Sequence, residues 1–180
     1  REKYNLPQNY LLYVGTVEER KNALSIVKAL HKGNINMPLI IAGKPTPYTE
    51  KIKQYIAQHN VTNDIRFLSY LPLEDLPGLY QMAEAFILPS IFEGFGIPIL
   101  EALNSGVPVI TSTGSCFRET GGPHSIYVDP GNTDKMIEAI NKVLHDKVLR
   151  VNMIQAGLEH AQKFRDENIA NNMMKVYKET

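Results

Sequence analysis

The sequence predicts a doubly wound α/β domain, a parallel sheet of about six strands with helices on both faces. Three observations carry this. Short apolar runs of strand length alternate regularly with longer stretches of helical periodicity. The runs are rich in β-branched and aromatic residues, and the first two end on glycine. Each strand-helix-strand step then implies a right-handed crossover and hence parallel neighbours.

Tyr10 to Gly15 (YLLYVG) is the first strand, and Asn22 to Lys32 a helix with Leu24, Val27, Ala29 and Leu30 near helical spacing. Pro38 to Gly43 (PLIIAG) is the second strand, followed by a helix over Tyr48 to Asn60 that carries Ile52, Tyr55 and Ile56 on one side. Asp64 to Leu68 is the third strand. The helix over Leu73 to Ala83 opens with Glu74 and Asp75, which suit the positive end of a helix dipole. Ala85 to Pro89 is the fourth strand, Ile97 to Ser105 a short helix closed by Gly106, Val107 to Thr111 the fifth strand and Ser125 to Val128 the sixth. Helices over Thr133 to His145, Lys147 to Phe164 and Glu167 to Lys178 complete the chain. In such Rossmann-like sheets, ligands bind beyond the carboxyl ends of the strands, where strand order reverses.

Composition narrows the function. At 180 residues and 43% hydrophobic, the chain matches one globular domain, residues 1–180, and not a disordered segment. Its formal net charge of +0 supplies no field for a polyanion, so nucleic acid is not an expected partner. A single cysteine, Cys116, makes no internal disulfide and suits a reducing compartment. No apolar run reaches the roughly 20 residues that span a bilayer. The chain opens on Arg1 instead of Met, as a piece of a longer protein would.

Two loops carry the chemistry. Gly15-Thr16-Val17-Glu18-Glu19-Arg20-Lys21-Asn22 follows the first strand and is neither GxGxxG nor a P-loop. Arg20 and Lys21 stand beside a helix N-terminus, where cations oppose the dipole unless an anion arrives. With the backbone N–H groups they suit a phosphate. A solvated pair offset by Glu18 and Glu19 fits the spacing equally well. The second loop, Pro89 to Ile97, contains Gly94 and Gly96, which allow close backbone approach to a ligand, and Pro98 suits the first turn that follows. Glu93 and Glu101 are placed to point toward one crevice, where carboxylates bind vicinal hydroxyls. An acidic residue before a helix and an ordinary solvent-facing glutamate explain them as well.

Glu93 and Glu101 form an E-x7-E spacing within FEGFGIPILEAL, preceded by FILPS and followed by SGVPVITS. With YLLYVGTVEERKN, LIIAGK, IRFLSYLPLEDLPGLYQMAEAFILPS and IYVDPGN in the same order, the chain resembles the C-terminal, donor-binding domain of group 1 (family 4) retaining glycosyltransferases of the GT-B fold. The resemblance implies that Lys21 and Arg20 bind the donor diphosphate and neutralise the leaving charge. It places Glu93 on hydroxyls of the transferred sugar, and the amides of Phe95, Gly96 and Ile97 near sugar and phosphate. It puts Glu101 on the ribose, Gly15 at the first-strand turn, and the segment Leu68 to Leu71 near the base. The implied donor is a nucleotide diphosphate sugar of GDP, UDP, ADP or dTDP, with no cofactor and no metal. The sugar is a hexose, mannose being one candidate. The resemblance also implies front-face attack, from the donor's leaving-group side, so neither glutamate is assigned as a nucleophile.

The resemblance places the glycan or lipid-linked acceptor on an N-terminal domain absent from this chain, together with any peripheral membrane contact. It implies a cytoplasmic enzyme of polysaccharide synthesis, inactive as this domain alone. Thr16 stands where many members have Arg, and Ser69 where glycine is common. Cys116, Phe117 and Arg118 are unusual beside the acidic Glu119. The rival reading is a non-catalytic nucleotide-sugar-binding or regulatory module. A response-regulator-like domain is disfavoured, because no acidic cluster follows the first strand. Lys44, after Gly43, is read as solvated although it could face a nucleotide. The five histidines pair with no carboxylate at a catalytic spacing.

Overall fold

Six parallel strands pair in the order β3-β2-β1-β4-β5-β6: β1 Leu11–Val14, β2 Leu39–Ala42, β3 Ile65–Leu68, β4 Ala85–Leu88, β5 Val109–Ser112 and β6 Ile126–Val128. The structure is a computed structural model and describes residues 1–114, 116–165, 167–168 and 174 of the 180. The strand order reverses between β1 and β4, which places the crevice of a doubly wound sheet there.

Burial explains that order. Every residue of β1, β2, β4 and β5 is buried, and these four occupy the centre. The edge strand β3 is only half-buried along its length, which is why it tolerates Arg66. That guanidinium donates to Asp64 Oδ2 at 2.6 Å and to the Asn5 carbonyl. Helix α1 (Ala23–Lys32) packs on α2 (Pro47–Gln58) and α6 (Thr133–His145) on one face. On the other, α4 (Ile97–Asn104) packs on α3 (Leu76–Gln81), α5 (Phe117–Gly121) and α7 (Lys147–Ala161). Local signals start the helices: Thr46 caps α2 ahead of Pro47, Asn132 caps α6 and Asp146 caps α7.

The structure differs from the sequence reading in a few elements. Helix α5 lies between the fifth and sixth strands, where the sequence reading assigns no element; its five residues are too few to display helical periodicity. The helix expected over Leu73 to Ala83 begins as a 3-10 turn, Leu73–Asp75, because Pro77 fits only at the start of the α-helical part. The helix expected to end at Phe164 tightens into a 3-10 turn over Gln162–Phe164. Most of the helix expected over Glu167 to Lys178 lies outside the described residues.

The carboxyl edge of the sheet is closely built. Gly15 N–H donates to Ala42 O at 2.9 Å and Gly43 N–H to Leu68 O at 2.8 Å, so each pairing extends one residue past the strand. A Cβ on Gly43 would lie 1.9 Å from the Gly15 carbonyl oxygen. Only glycine lets the two turns approach this closely. Gly43→Ala is therefore expected to cost about 3 kcal/mol of stability, as forced overpacking against backbone does. Gly94→Ala, where a Cβ would meet nothing within 4 Å, is expected to be near neutral. Denaturant unfolding of the two variants checks the contrast.

Candidate functional site

The loops after β1 and β4 flank the switch point and are fastened to each other. Ile91 N–H donates to Arg20 O at 2.8 Å, and the Arg20 guanidinium donates to the Phe92 carbonyl. Beneath them lies a cluster of charge. Glu93 is buried, with 8% exposure, although it stands in a loop. Its Oε2 accepts from Arg20 Nη1 at 3.1 Å, and its Oε1 accepts from Ser90 Oγ at 2.8 Å and faces Lys21 Nζ at 3.5 Å. Arg20 also reaches Glu18 Oε1 at 2.7 Å through Nη2. Hydrogen bonding to Glu93 is the first cause that raises the Arg20 guanidinium above its ordinary value.

The cations are thus not a simple solvated pair. Lys21 is nearly as buried as its partner, at 12% against 10% side-chain exposure, whereas Arg20 remains 41% exposed. Gly15 makes this possible, since a Cβ there would lie 2.9 Å from Lys21 Nζ. The turn Glu19–Lys21 is a 3-10 helix, and Asn22 follows in the left-handed region at φ 55° before α1 begins. Below the loop, Tyr13 OH donates to Thr16 O at 3.0 Å. Burial first, then the charge of Glu93, pushes that phenol far above its ordinary value, so it stays a donor.

The second loop delivers backbone to the same place. Gly96 adopts φ 86°, a conformation natural to glycine, and turns the chain into α4. The Ile97 amide lies in the first turn, where N–H groups have no partner within the helix. Phe95 is anchored from behind: Thr120 Oγ1 donates to its carbonyl, and its ring meets Phe164 edge-on at 5.7 Å between centroids. Phe164 in turn packs on His160 at 5.5 Å, and His160 Nε2 lies 2.8 Å from Glu119 O. Residues of α5 and the end of α7 therefore position the loop from outside the cleft.

Two hollows are lined by further residues singled out from the sequence. One, of about 270 Å³, is lined by Gly15, Gly43, Lys44, Tyr70, Leu71 and Leu76 among others, at the ends of β1, β2 and β3. Leu71 and Gly15 stand on its wall, and the Leu68 carbonyl accepts from Gly43 N–H. Tyr70 is 85% exposed at φ 57°, an unusual backbone for a bulky residue. The other hollow, of about 460 Å³ between α3 and α4, contains Glu101, whose Oε2 accepts from Tyr80 OH at 2.8 Å. Burial, then Glu101, raises the Tyr80 phenol far above its ordinary value. Glu101 lines this second hollow, and Glu93 lies in the charge cluster between the β1 and β4 loops.

Sequence reasoning missed Ser90, Tyr70, Tyr80, Thr120 and Phe164; Lys44, read as solvated, is exposed at the first hollow. Only the left-handed Tyr70 turn had a local cue, since Ser69-Tyr70 stands where glycine would ease it. The others act through contacts that no spacing reveals. Among the described residues no group of three or more His, Cys, Asp or Glu could hold a metal ion, and no helix is long and apolar enough to cross a membrane.

The strand order and the crevice at its reversal define a Rossmann-like α/β domain. A family model described as "Glycosyl transferases group 1" matches residues 1–160, and the chain belongs to that family. It is 36% identical over 182 residues to the O-antigen chain mannosyltransferase B of Escherichia coli, covering 98% of this chain and 48% of that protein. The structure superposes on Alr3699/HepE of Anabaena in complex with UDP with a TM-score of 0.88 at 19% identity, over 100% of this chain and 51% of that one. It also superposes on the C-terminal domain of the group 1 protein LpcC of Francisella tularensis, with a TM-score of 0.78 at 20% identity. That match covers 91% of this chain and 89% of the other, so the two share one domain fold. The chain spans about half the length of the curated relatives it matches.

Anchoring of the second loop gives a direct prediction. Phe164→Ala and Thr120→Val are each expected to speed amide hydrogen exchange from Gly94 to Ile97 severalfold while leaving β1 and β2 protected. Mass-spectrometric exchange resolves the two regions. Unchanged loop protection would show that the anchors do not restrain it.

Proposed function

We propose that this chain is the donor-binding half of a retaining glycosyltransferase that moves a hexose from a nucleotide diphosphate sugar to a glycan or lipid-linked acceptor. The observation that carries the reading is the Arg20–Lys21–Glu93 cluster at the strand-order reversal, beside the N-terminus of α4. Two cations and the first-turn amides are preorganised for a leaving diphosphate, whose charge grows as the bond to the sugar breaks. Glu93 is then the acceptor for sugar hydroxyls, and Glu101, steadied by Tyr80, the acceptor for ribose hydroxyls. The hollow walled by Lys44, Tyr70 and Leu71 takes the base.

The UDP bound to the Anabaena neighbour supports a nucleotide donor, and the mannosyltransferase relative makes mannose the first sugar to test. The acceptor, and any peripheral contact with the cytoplasmic face of a membrane, belong in this reading to an N-terminal domain outside the chain. The 180 residues bind donor but transfer little by themselves. No cofactor or metal enters the scheme.

Calorimetric titration of the chain with UDP, GDP, ADP, dTDP and their sugars tests the reading. One base series is expected to bind. Lys21→Ala is expected to weaken the diphosphate by on the order of tenfold and leave the nucleoside unchanged, since it removes a charge-assisted contact to phosphate alone. Glu101→Ala is expected to weaken nucleoside and diphosphate alike. Silence across the whole panel would overturn the assignment.

A further inference from the structure

The cations assigned to the diphosphate already have an internal anion. Glu93 touches both, through different oxygens, at 3.1 Å from Arg20 and 3.5 Å from Lys21. We propose that Glu93 is a specificity-determining residue that competes with the diphosphate for Arg20 and Lys21, so that the site favours the complete nucleotide sugar over the bare nucleoside diphosphate. The proposal rests on the donor-site reading above.

The argument is one of shared charge. A diphosphate that draws Arg20 and Lys21 to itself weakens their contacts with Glu93. Glu93 is buried, and a buried carboxylate that loses cationic partners must recover hydrogen bonds or carry a desolvation cost. Ser90 Oγ, at 2.8 Å from Oε1, holds the carboxylate in place through the exchange and replaces none of the charge. A nucleotide sugar brings hydroxyl donors that can satisfy the partly released carboxylate. The nucleoside diphosphate left after transfer brings none to that position.

The geometry is graded for such an exchange. The Lys21 contact, at 3.5 Å, is longer than a direct hydrogen bond and is the easier to surrender. Arg20 is also held by Glu18 and by the Phe92 carbonyl, so it can turn toward phosphate while staying fixed to the second loop. Donor is thus retained and spent nucleotide released by the same carboxylate.

Titration calorimetry of the wild-type chain and Glu93→Gln with the four nucleoside diphosphates, their nucleosides and their sugars tests this. The variant keeps the shape of the side chain and removes its charge. It is expected to bind the preferred diphosphate on the order of tenfold more tightly, with the nucleoside unchanged. The nucleotide sugar should gain less, so that the wild-type preference for donor shrinks. A folded variant that binds diphosphate no better than wild type overturns the proposal, as does an equal gain for the nucleoside. A wild-type chain silent toward diphosphates beside a variant that binds them supports it. Silence of both removes the donor-site reading, and the proposal falls with it. If circular dichroism shows the variant unfolded, the ¹³C carboxyl resonance of Glu93 in the wild-type chain decides. A shift on adding the diphosphate supports displacement, and an unmoved resonance overturns it.

Discussion

Four parallel strands buried on both faces are the constraint on which the rest of this molecule depends. Their side chains are apolar for most of their length, since the interior has few partners for polar groups and water is excluded from both sides. Polar chemistry is therefore pushed to the strand ends. The parallel arrangement sends all carboxyl ends to one edge, and the reversal between β1 and β4 parts the loops there. Gly15 and Gly43 extend the pairing a residue beyond the strands and bring the first two turns within contact distance. The floor of the site is consequently as rigid as the sheet.

On that floor, the unusual feature is a buried carboxylate in a loop. Glu93 has Arg20 and Lys21 as charged partners there, and Lys21 lies over Gly15 with its ammonium facing the Glu93 carboxylate. Each side of the cluster makes the other tolerable. The loops that contribute them are tied together by backbone hydrogen bonds as well, so the cluster is a joint between β1 and β4 besides a reservoir of charge. Tyr13 below it and Ser90 beside it add neutral donors, which suits a site where both anion and cation are partly withheld from water.

Membership in the group 1 glycosyltransferases fits this architecture. Exposed apolar side chains lie along the same edge: Tyr70, Leu73, Ile91, Phe92 and Ile97. They follow β3 and β4 or open α4, so the apolar surface and the charged cluster share one rim.

The sequence by itself determined the six strands, the major helices among the described residues and the two loops of interest, because continuous apolar runs and helical periodicity are local signals. Lys21, Glu93, Gly96 and Glu101 were legible as candidates through their order and spacing. Helix α5 was not, since its five residues between glycines display no period. Nor was the pairing of Glu93 with Arg20 and Lys21, which are 73 and 72 positions away along the chain and were read as serving a different part of the ligand. The same holds for Tyr80 on Glu101 and for Thr120 and Phe164 behind Phe95. Only tertiary structure decided these contacts. Which loops meet at the strand-order reversal is set by crossovers between distant strands, and no periodicity along the chain encodes that meeting.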